Sequence, residues 1–266
     1  QDHMDYHKNM KNYFNSKMIL FSELLNKKKH IIIDNSIKEF KKVTIIAKRK
    51  KLKILSIGKK KADICILNNT IKGNYQKISL VYKGKNYKFD VPLVGFFQIK
   101  NLLMSILASR LTGLKFNRII SCIKKLSSVE GRLQLIKVLP NKTKIFIDYA
   151  HTPEALETAI KSLKRQYNSK VILVFGCGGE RDKKKRPIMG KIAKDNAFKI
   201  YVTDDNPRKE NAKKIRREIT KSLNNANFFE IGDRNKAISQ AIKQSEPDGI
   251  ILIAGKGHES TQDYGN

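Results

Sequence analysis

Apolar and polar positions alternate along this chain in two rhythms, one suited to helices and one to strands. The opening, QDHMDYHKNMKNYFNSKMILFSELL, is polar at first and then places Tyr13, Phe14, Lys17, Ile19, Leu20, Leu24 and Leu25 near helical spacing. Short apolar runs follow at HIIID (30–34), VTIIA (43–47), KILSI (53–57) and ADICIL (62–67), each predicting a strand. QKISLVY (76–82) and NYKFDVPL (86–93) alternate and are joined by KGK, which predicts a hairpin. The first half therefore reads as a mixed sheet edge. Residues 95–126 predict two helices broken near Gly113. After a corner at Gly131-Arg132 the chain runs strand, strand, helix, strand, helix, strand, helix, strand, helix, strand, ending in GIILIAGKGHE. The pattern predicts an α/β protein with a domain boundary near 131.

The densest pattern lies between Phe146 and Arg208. IFIDYAHTPEALETAI, VILVFGCGGERDKKKRPIMG and KIYVTDDNPRKE are each an apolar strand running into a polar, glycine-bearing loop and then a helix. Three such units describe a parallel sheet with its loops gathered at one edge. Ligands of such sheets sit outside the carboxyl ends of the strands. The residues placed there are Asp148, His151, Arg181, Asp182, Lys183, Lys185, Arg186, Asp205, Asn206 and Arg208, a set suited to anions and to a zwitterion. Helix starts are signed by Thr152-Pro153, with Ala155, Leu156, Ala159, Ile160 and Leu163 as the inward stripe. Asp233 predicts a cap for a helix turning Ala237, Ile238, Ala241 and Ile242 inward, and Pro187 predicts a helix start after KKKR.

Composition narrows the picture only a little. With 266 residues the chain suits one large domain or two ordinary ones. No apolar run has the length of a membrane span, and no signal-peptide pattern opens the chain. Three scattered cysteines without CxxC spacing point to a reducing cytoplasm rather than a disulfide framework. The net charge of +31 comes mostly from lysines spread over every segment. A nucleic-acid footprint would concentrate arginine and aromatics on one face, so the charge reads as a solvated surface.

Each motif has a plain alternative. GCGGERDKKKRPIMG feeds a helix start with extra cations, which is unfavourable without an anion; a disordered basic loop has the same composition. In DDNPR, Asn206-Pro207 fixes a turn that holds Asp205 and Arg208 as one unit, able to take an ammonium and a carboxylate. A capped turn with a local ion pair explains it equally. DHMDYH could hold a metal or simply be helix-surface polarity, and GKGHE offers glycine backbone plus Glu259.

Taken together the strings resemble the Mur ligases, within them the branch that adds the third residue of the peptidoglycan stem. The resemblance rests on DHMDYH (2–7), Lys17 in NYFNSKMILF, GFFQIKN (95–101), EGR (130–132), DYAHTPEAL (148–156), GCGGERDKKKRPIMG (176–190), TDDNPR (203–208) and AGKGHE (254–259), in the family's order. It implies residues 1–131 as the C-terminal part of a central ATPase domain, then a Rossmann-like six-stranded domain over 132–266. It also implies ATP-dependent amide formation between UDP-MurNAc-L-Ala-D-Glu and meso-diaminopimelate through an acyl phosphate, by a cytoplasmic monomer using Mg2+, with neither nucleic acid nor membrane as partner. Lys17 resembles the family's carbamylated, metal-binding lysine and His3 a second metal ligand. Asn101, Arg132, Asp148 and His151 resemble nucleotide and domain-interface contacts. Arg181, Asp205, Asn206, Arg208, Gly255 and Glu259 match the diaminopimelate pocket, and Lys183 and Lys185 the position of a catalytic lysine near the transferred phosphate. The family's G-T-x-G-K-T loop is absent from these residues, and Gln98 stands where the family usually has Asn. The expectation is a piece of a longer ligase, inactive alone. Two alternatives remain open, a related ligase for lysine or a folylpolyglutamate, and a basic nucleic-acid-binding module.

Overall fold

A computed structural model describes residues 7–265. The chain divides into two compact units, one over residues 7–127 and one from Ser128 onward.

The first unit opens with helix α1 (Met10–Ile19), which widens into a π turn over Leu20–Leu24. Its packed face is Phe14, Met18, Phe21 and Leu25, while Ile19, Leu20 and Leu24 are exposed. The expected helix exists, but its apolar stripe is rotated from the one predicted. Strand β1 (His30–Asp34) leads to helix α2 (Phe40–Arg49), then β2 (Lys53–Gly58), β3 (Ile64–Lys72), β4 (Tyr75–Tyr82) and β5 (Lys85–Val91). They form a sheet in the order β1-β2-β3-β4-β5, parallel from β1 to β3 and antiparallel from there. VTIIA is thus helical, not a strand. β1 and β2 run parallel, so the chain between them must cross the sheet, and a helix does so. Val43 and Ala47, four residues apart, face the core while Ile45 faces solvent. Helices α3 (Phe96–Leu111) and α4 (Phe116–Cys122) cover the other face with Ile99, Leu103, Ile106, Leu107 and Phe116. None of the described helices is long and apolar enough to cross a membrane.

The second unit holds β6 (Gln134–Val138), β7 (Lys144–Asp148), α5 (Pro153–Tyr167), β8 (Val171–Phe175), α6 (Lys185–Asn196) and β9 (Lys199–Val202). It continues with α7 (Ala212–Thr220), β10 (Phe228–Glu230), α8 (Arg234–Lys243) and β11 (Ile250–Ala254). The six strands lie in the order β10-β9-β8-β11-β7-β6, parallel except for β6. β8 is buried along its whole length, as a strand with helices on both faces should be. The Thr152 hydroxyl caps α5 by accepting from the Ala155 amide at 3.4 Å, and Asp233 caps α8 through the Lys236 amide at 3.0 Å. Leu156, Ala159, Ile160 and Leu163 are buried as expected, but Ala155 is exposed on the first turn. Helix α6 begins at Lys185, two residues before Pro187, so the proline sits inside its first turn, where no amide is needed.

Candidate active site

The loops after β7, β8, β9 and β11 meet at the carboxyl edge of the second sheet. They enclose a cavity of about 300 Å³ lined by Tyr149, His151, Gly178, Arg181, Asp182, Lys185, Asp205, Asn206, Arg208, Gly255 and Glu259. Two loops can come this close because one of them lacks side chains. A Cβ on Gly179 would stand 1.9 Å from the Pro207 carbonyl oxygen, so the glycine-rich loop rests directly on the DDNPR turn. The Gly179 amide donates to the Asn206 carbonyl at 2.8 Å.

The cavity's charges are arranged unequally. Glu259 accepts from Asn206 Nδ2 at 3.0 Å and from Lys256 Nζ at 2.9 Å. Burial pushes its carboxyl upward, yet the bonds from Lys256 and Asn206 outweigh that and hold it below its ordinary value. Asp205 is 9 % exposed, and its Oδ2 has no hydrogen-bond partner among the described residues. That oxygen lies 2.6 Å from where a Cβ on Gly255 would be, at a backbone φ of +111° that disfavours any side chain. An unspent buried carboxylate oxygen facing a glycine is a place for an external cation. Arg208 NH1 donates to the carbonyls of Gly179 (2.8 Å) and Asn206 (3.4 Å), which sets its guanidinium at the rim. Arg181, Lys185 and Arg208 thus share one cavity with Asp205 and Glu259. That is the complement of a small zwitterion with more than one carboxylate.

Beneath the cavity lies a brace. Arg186 is fully buried and bonds Glu210 (3.1 Å), Glu218 (2.7 Å) and the Gly178 carbonyl (3.1 Å). Glu210 also accepts the Glu180 amide at 2.6 Å. Together these bonds pull Glu210 down to about 2, the Arg186 hydrogen bond contributing most. Cys177 is buried beside Met189, and burial raises its thiol to about 12, which makes it inert.

The remaining expected residues fall in several places. Lys185 Nζ donates to the His151 carbonyl at 2.9 Å and lines the cavity, whereas Lys183 is exposed and pairs with Glu210 at 3.6 Å. Each Asp148 oxygen accepts a backbone amide, Leu133 at 2.7 Å and Ala150 at 2.8 Å, so this carboxylate also holds two loops together. Burial nevertheless raises its carboxyl, against the pull of those amides. Arg132 stacks on the Tyr149 ring at 4.6 Å, with His151 against the same ring's edge. Asn101 is exposed on α3, and Lys17 is exposed on α1 with its Nζ 4.8 Å from the Tyr13 ring centre; both belong to the first unit. His3 lies outside the described residues. Among the described residues no group of three His, Cys, Asp or Glu could hold a metal ion.

Family comparisons bear directly on these loops. Residues 1–109 match the Mur ligase middle domain, and residues 131–257 match the glutamate ligase domain of Mur ligases. The chain belongs to the Mur ligase family. It is 42 % identical to the UDP-N-acetylmuramoyl-L-alanyl-D-glutamate–2,6-diaminopimelate ligase of Rickettsia bellii, covering 100 % of this chain and 56 % of that protein. The protein of the same name from Zymomonas mobilis is 38 % identical, with 100 % and 54 % covered. The chain spans about half the length of the curated relatives it matches. A solved structure of a ligase of that name superposes with a TM-score of 0.63 at 31 % identity, over 100 % of this chain and 55 % of that one. A MurF ligase from Thermotoga maritima in complex with ADP gives 0.73 at 16 % identity over 95 % and 55 %, a likeness of fold alone.

Several residues of this Mur ligase chain carry weight that pattern reading did not assign. Lys256, 7 % exposed, bonds Asn206 and Glu259 from below, and Arg234 reaches the Ala254 carbonyl at 2.9 Å. Lys256 could have been singled out as the lysine within AGKGHE. Nothing in the local sequence marks Arg234.

Proposed function

We propose that this chain is part of an ATP-dependent amide ligase that joins meso-diaminopimelate to UDP-MurNAc-L-Ala-D-Glu. Residues 1–131 would belong to its central ATP-binding domain and 132–266 to its amino-acid-binding domain. The carrying observation is the cavity in which the unpartnered Asp205 Oδ2 faces Gly255 while Arg208 and Arg181 stand at the rim. Diaminopimelate differs from lysine by a carboxylate at its far end, so a site selecting it needs a cation and an anion side by side. Asp205 takes the distal ammonium, with Glu259 and the Gly255 backbone beside it. Arg208, Arg181 and Asn206 take the distal carboxylate.

In the reaction the γ-phosphoryl group of ATP passes to the D-glutamate carboxylate, releasing ADP and leaving an acyl phosphate. The amine of diaminopimelate attacks the acyl carbon, the C–O bond to phosphate breaks, and the amine's proton is lost as the amide forms. Lys185 and Lys183 supply positive charge toward the transferred phosphate. Arg132, Asp148, His151 and Asn101 serve the nucleotide side. Bound magnesium would offset phosphate charge; Lys17 as a carbamate, with His3, would be its ligands, because a lysine ammonium has no lone pair to give and magnesium prefers oxygen donors. We place the protein in the cytoplasm as a monomer.

The test is calorimetric titration of the 266-residue chain with meso-diaminopimelate and with L-lysine. Binding of meso-diaminopimelate in clear preference to lysine is expected. No binding, or equal affinity for both, overturns the reading.

A further inference from the structure

The Arg208 clamp does not hold itself. Arg208 sits at a left-handed φ of +50°, which a non-glycine residue keeps only when its surroundings impose it. Those surroundings are the segment Gln262–Gly265, which lies along the DDNPR turn. Gln262 Nε2 donates to the carbonyls of Asp205 (2.8 Å) and Asp204 (3.2 Å). The Asp263 amide donates to Asn206 Oδ1 at 2.9 Å, and the Asp263 carbonyl accepts the Arg208 amide at 3.0 Å. The Asp263 carboxylate stands 3.6 Å from Arg208 Nε, and Tyr264 donates to Asp204 at 3.3 Å. Every residue from Asp204 to Arg208 except Pro207 is therefore bonded from this one strap. None of the strap's residues lines the cavity.

We infer that Gln262 and Asp263 are positioning residues for amino-acid choice: the strap holds Arg208 where it meets a distal carboxylate, so discrimination depends on side chains that never touch the ligand. This rests on the reading of the cavity as a diaminopimelate site. The physical ground is that a bidentate arginine contact is sharply angle-dependent, whereas an ammonium accepted by a carboxylate tolerates small displacements. Loosening the turn should therefore hurt the carboxylate end first. Asn206, shared between Glu259, Lys256 and the strap, ties the two ends of the site but keeps its lower bonds when the strap is gone.

The experiment uses Gln262→Met, close in shape but without N–H donors, and the more drastic Gln262→Ala. Each is titrated with meso-diaminopimelate and with L-lysine, alongside a melting curve. Expected is a loss of about tenfold in meso-diaminopimelate affinity, equivalent to roughly 1.4 kcal/mol, with lysine affinity within about twofold of wild type. Unchanged meso-diaminopimelate affinity in both variants overturns the inference. So does an equal loss for both ligands with a lower melting temperature, since that is the signature of a merely structural segment. Failure of the wild-type chain to bind meso-diaminopimelate at all would instead remove the reading beneath it.

Discussion

Asp205→Asn separates binding from stability at the centre of the cavity. The side chain keeps its shape and loses its charge. Oδ2 is buried without a partner among the described residues, and leaving an acceptor so costs about 1–3 kcal/mol. Replacing the carboxylate relieves part of that cost. It also removes the negative charge near Arg234, a buried cation whose ionised form burial already disfavours. The two effects oppose each other, so net stability should stay within about 1 kcal/mol of wild type, a few degrees at most in melting temperature. Binding has no such compensation. A buried ammonium deprived of its carboxylate loses about 2–5 kcal/mol, so meso-diaminopimelate affinity should fall by about 30-fold or more. Calorimetry and a thermal melt on the same sample decide it. Affinity within about threefold of wild type would refute Asp205 as the ammonium acceptor. A large loss of melting temperature would show that the carboxylate serves the fold.

Two other outcomes follow from the same geometry. Arg208→Ala should weaken meso-diaminopimelate by at least about tenfold while lysine gains relative to it; an equal loss for both, measured by the same titration, would make Arg208 a turn-holder only. Glu210→Gln should lower stability near neutral pH by about 1.5–3 kcal/mol, the range for a hydrogen bond to a charged group. Because Glu210 is depressed to about 2 from an ordinary 4.5, its contribution is full above about 4.5 and fades as pH falls toward 2. Urea unfolding across that range should show the gap between variant and wild type closing on acidification, and a constant gap would refute the Arg186 pairing.

The parallel sheet of the second unit could be read from the sequence because each strand is a short apolar run punctuated by glycine, proline or a capping residue. The loops carrying Arg181, Asp205, Arg208, Gly255 and Glu259 could be placed together for the same reason: they follow the carboxyl ends of those strands. VTIIA was misread because five apolar-rich residues fit a buried strand or one helical face equally well, and the parallel pairing of β1 with β2 decides it. Arg186 looked like one more cation in KKKR. Which of those side chains turns inward depends on Glu210 and Glu218, both distant along the chain. Asp148 has a second duty the sequence does not mark, since its oxygens accept amides that only the folded corner brings near. Gln262 carried no signal, since its partners are backbone carbonyls and leave no mark in residue type.

The strand order has a consequence for how the protein is made. β11 lies between β7 and β8, bonded to both, yet it is the last strand described. While a ribosome works from residue 148 to residue 254, β7 and β8 have no way to join, and each keeps an open edge. At about 5–20 residues per second, that interval lasts on the order of ten seconds. Gly255 and Glu259 arrive only after it, so the cavity closes in the same late step that completes the sheet. A premature stop ahead of residue 250 would remove the strand that joins the two halves of the unit, leaving sticky edges for chaperones and proteases rather than a smaller working domain.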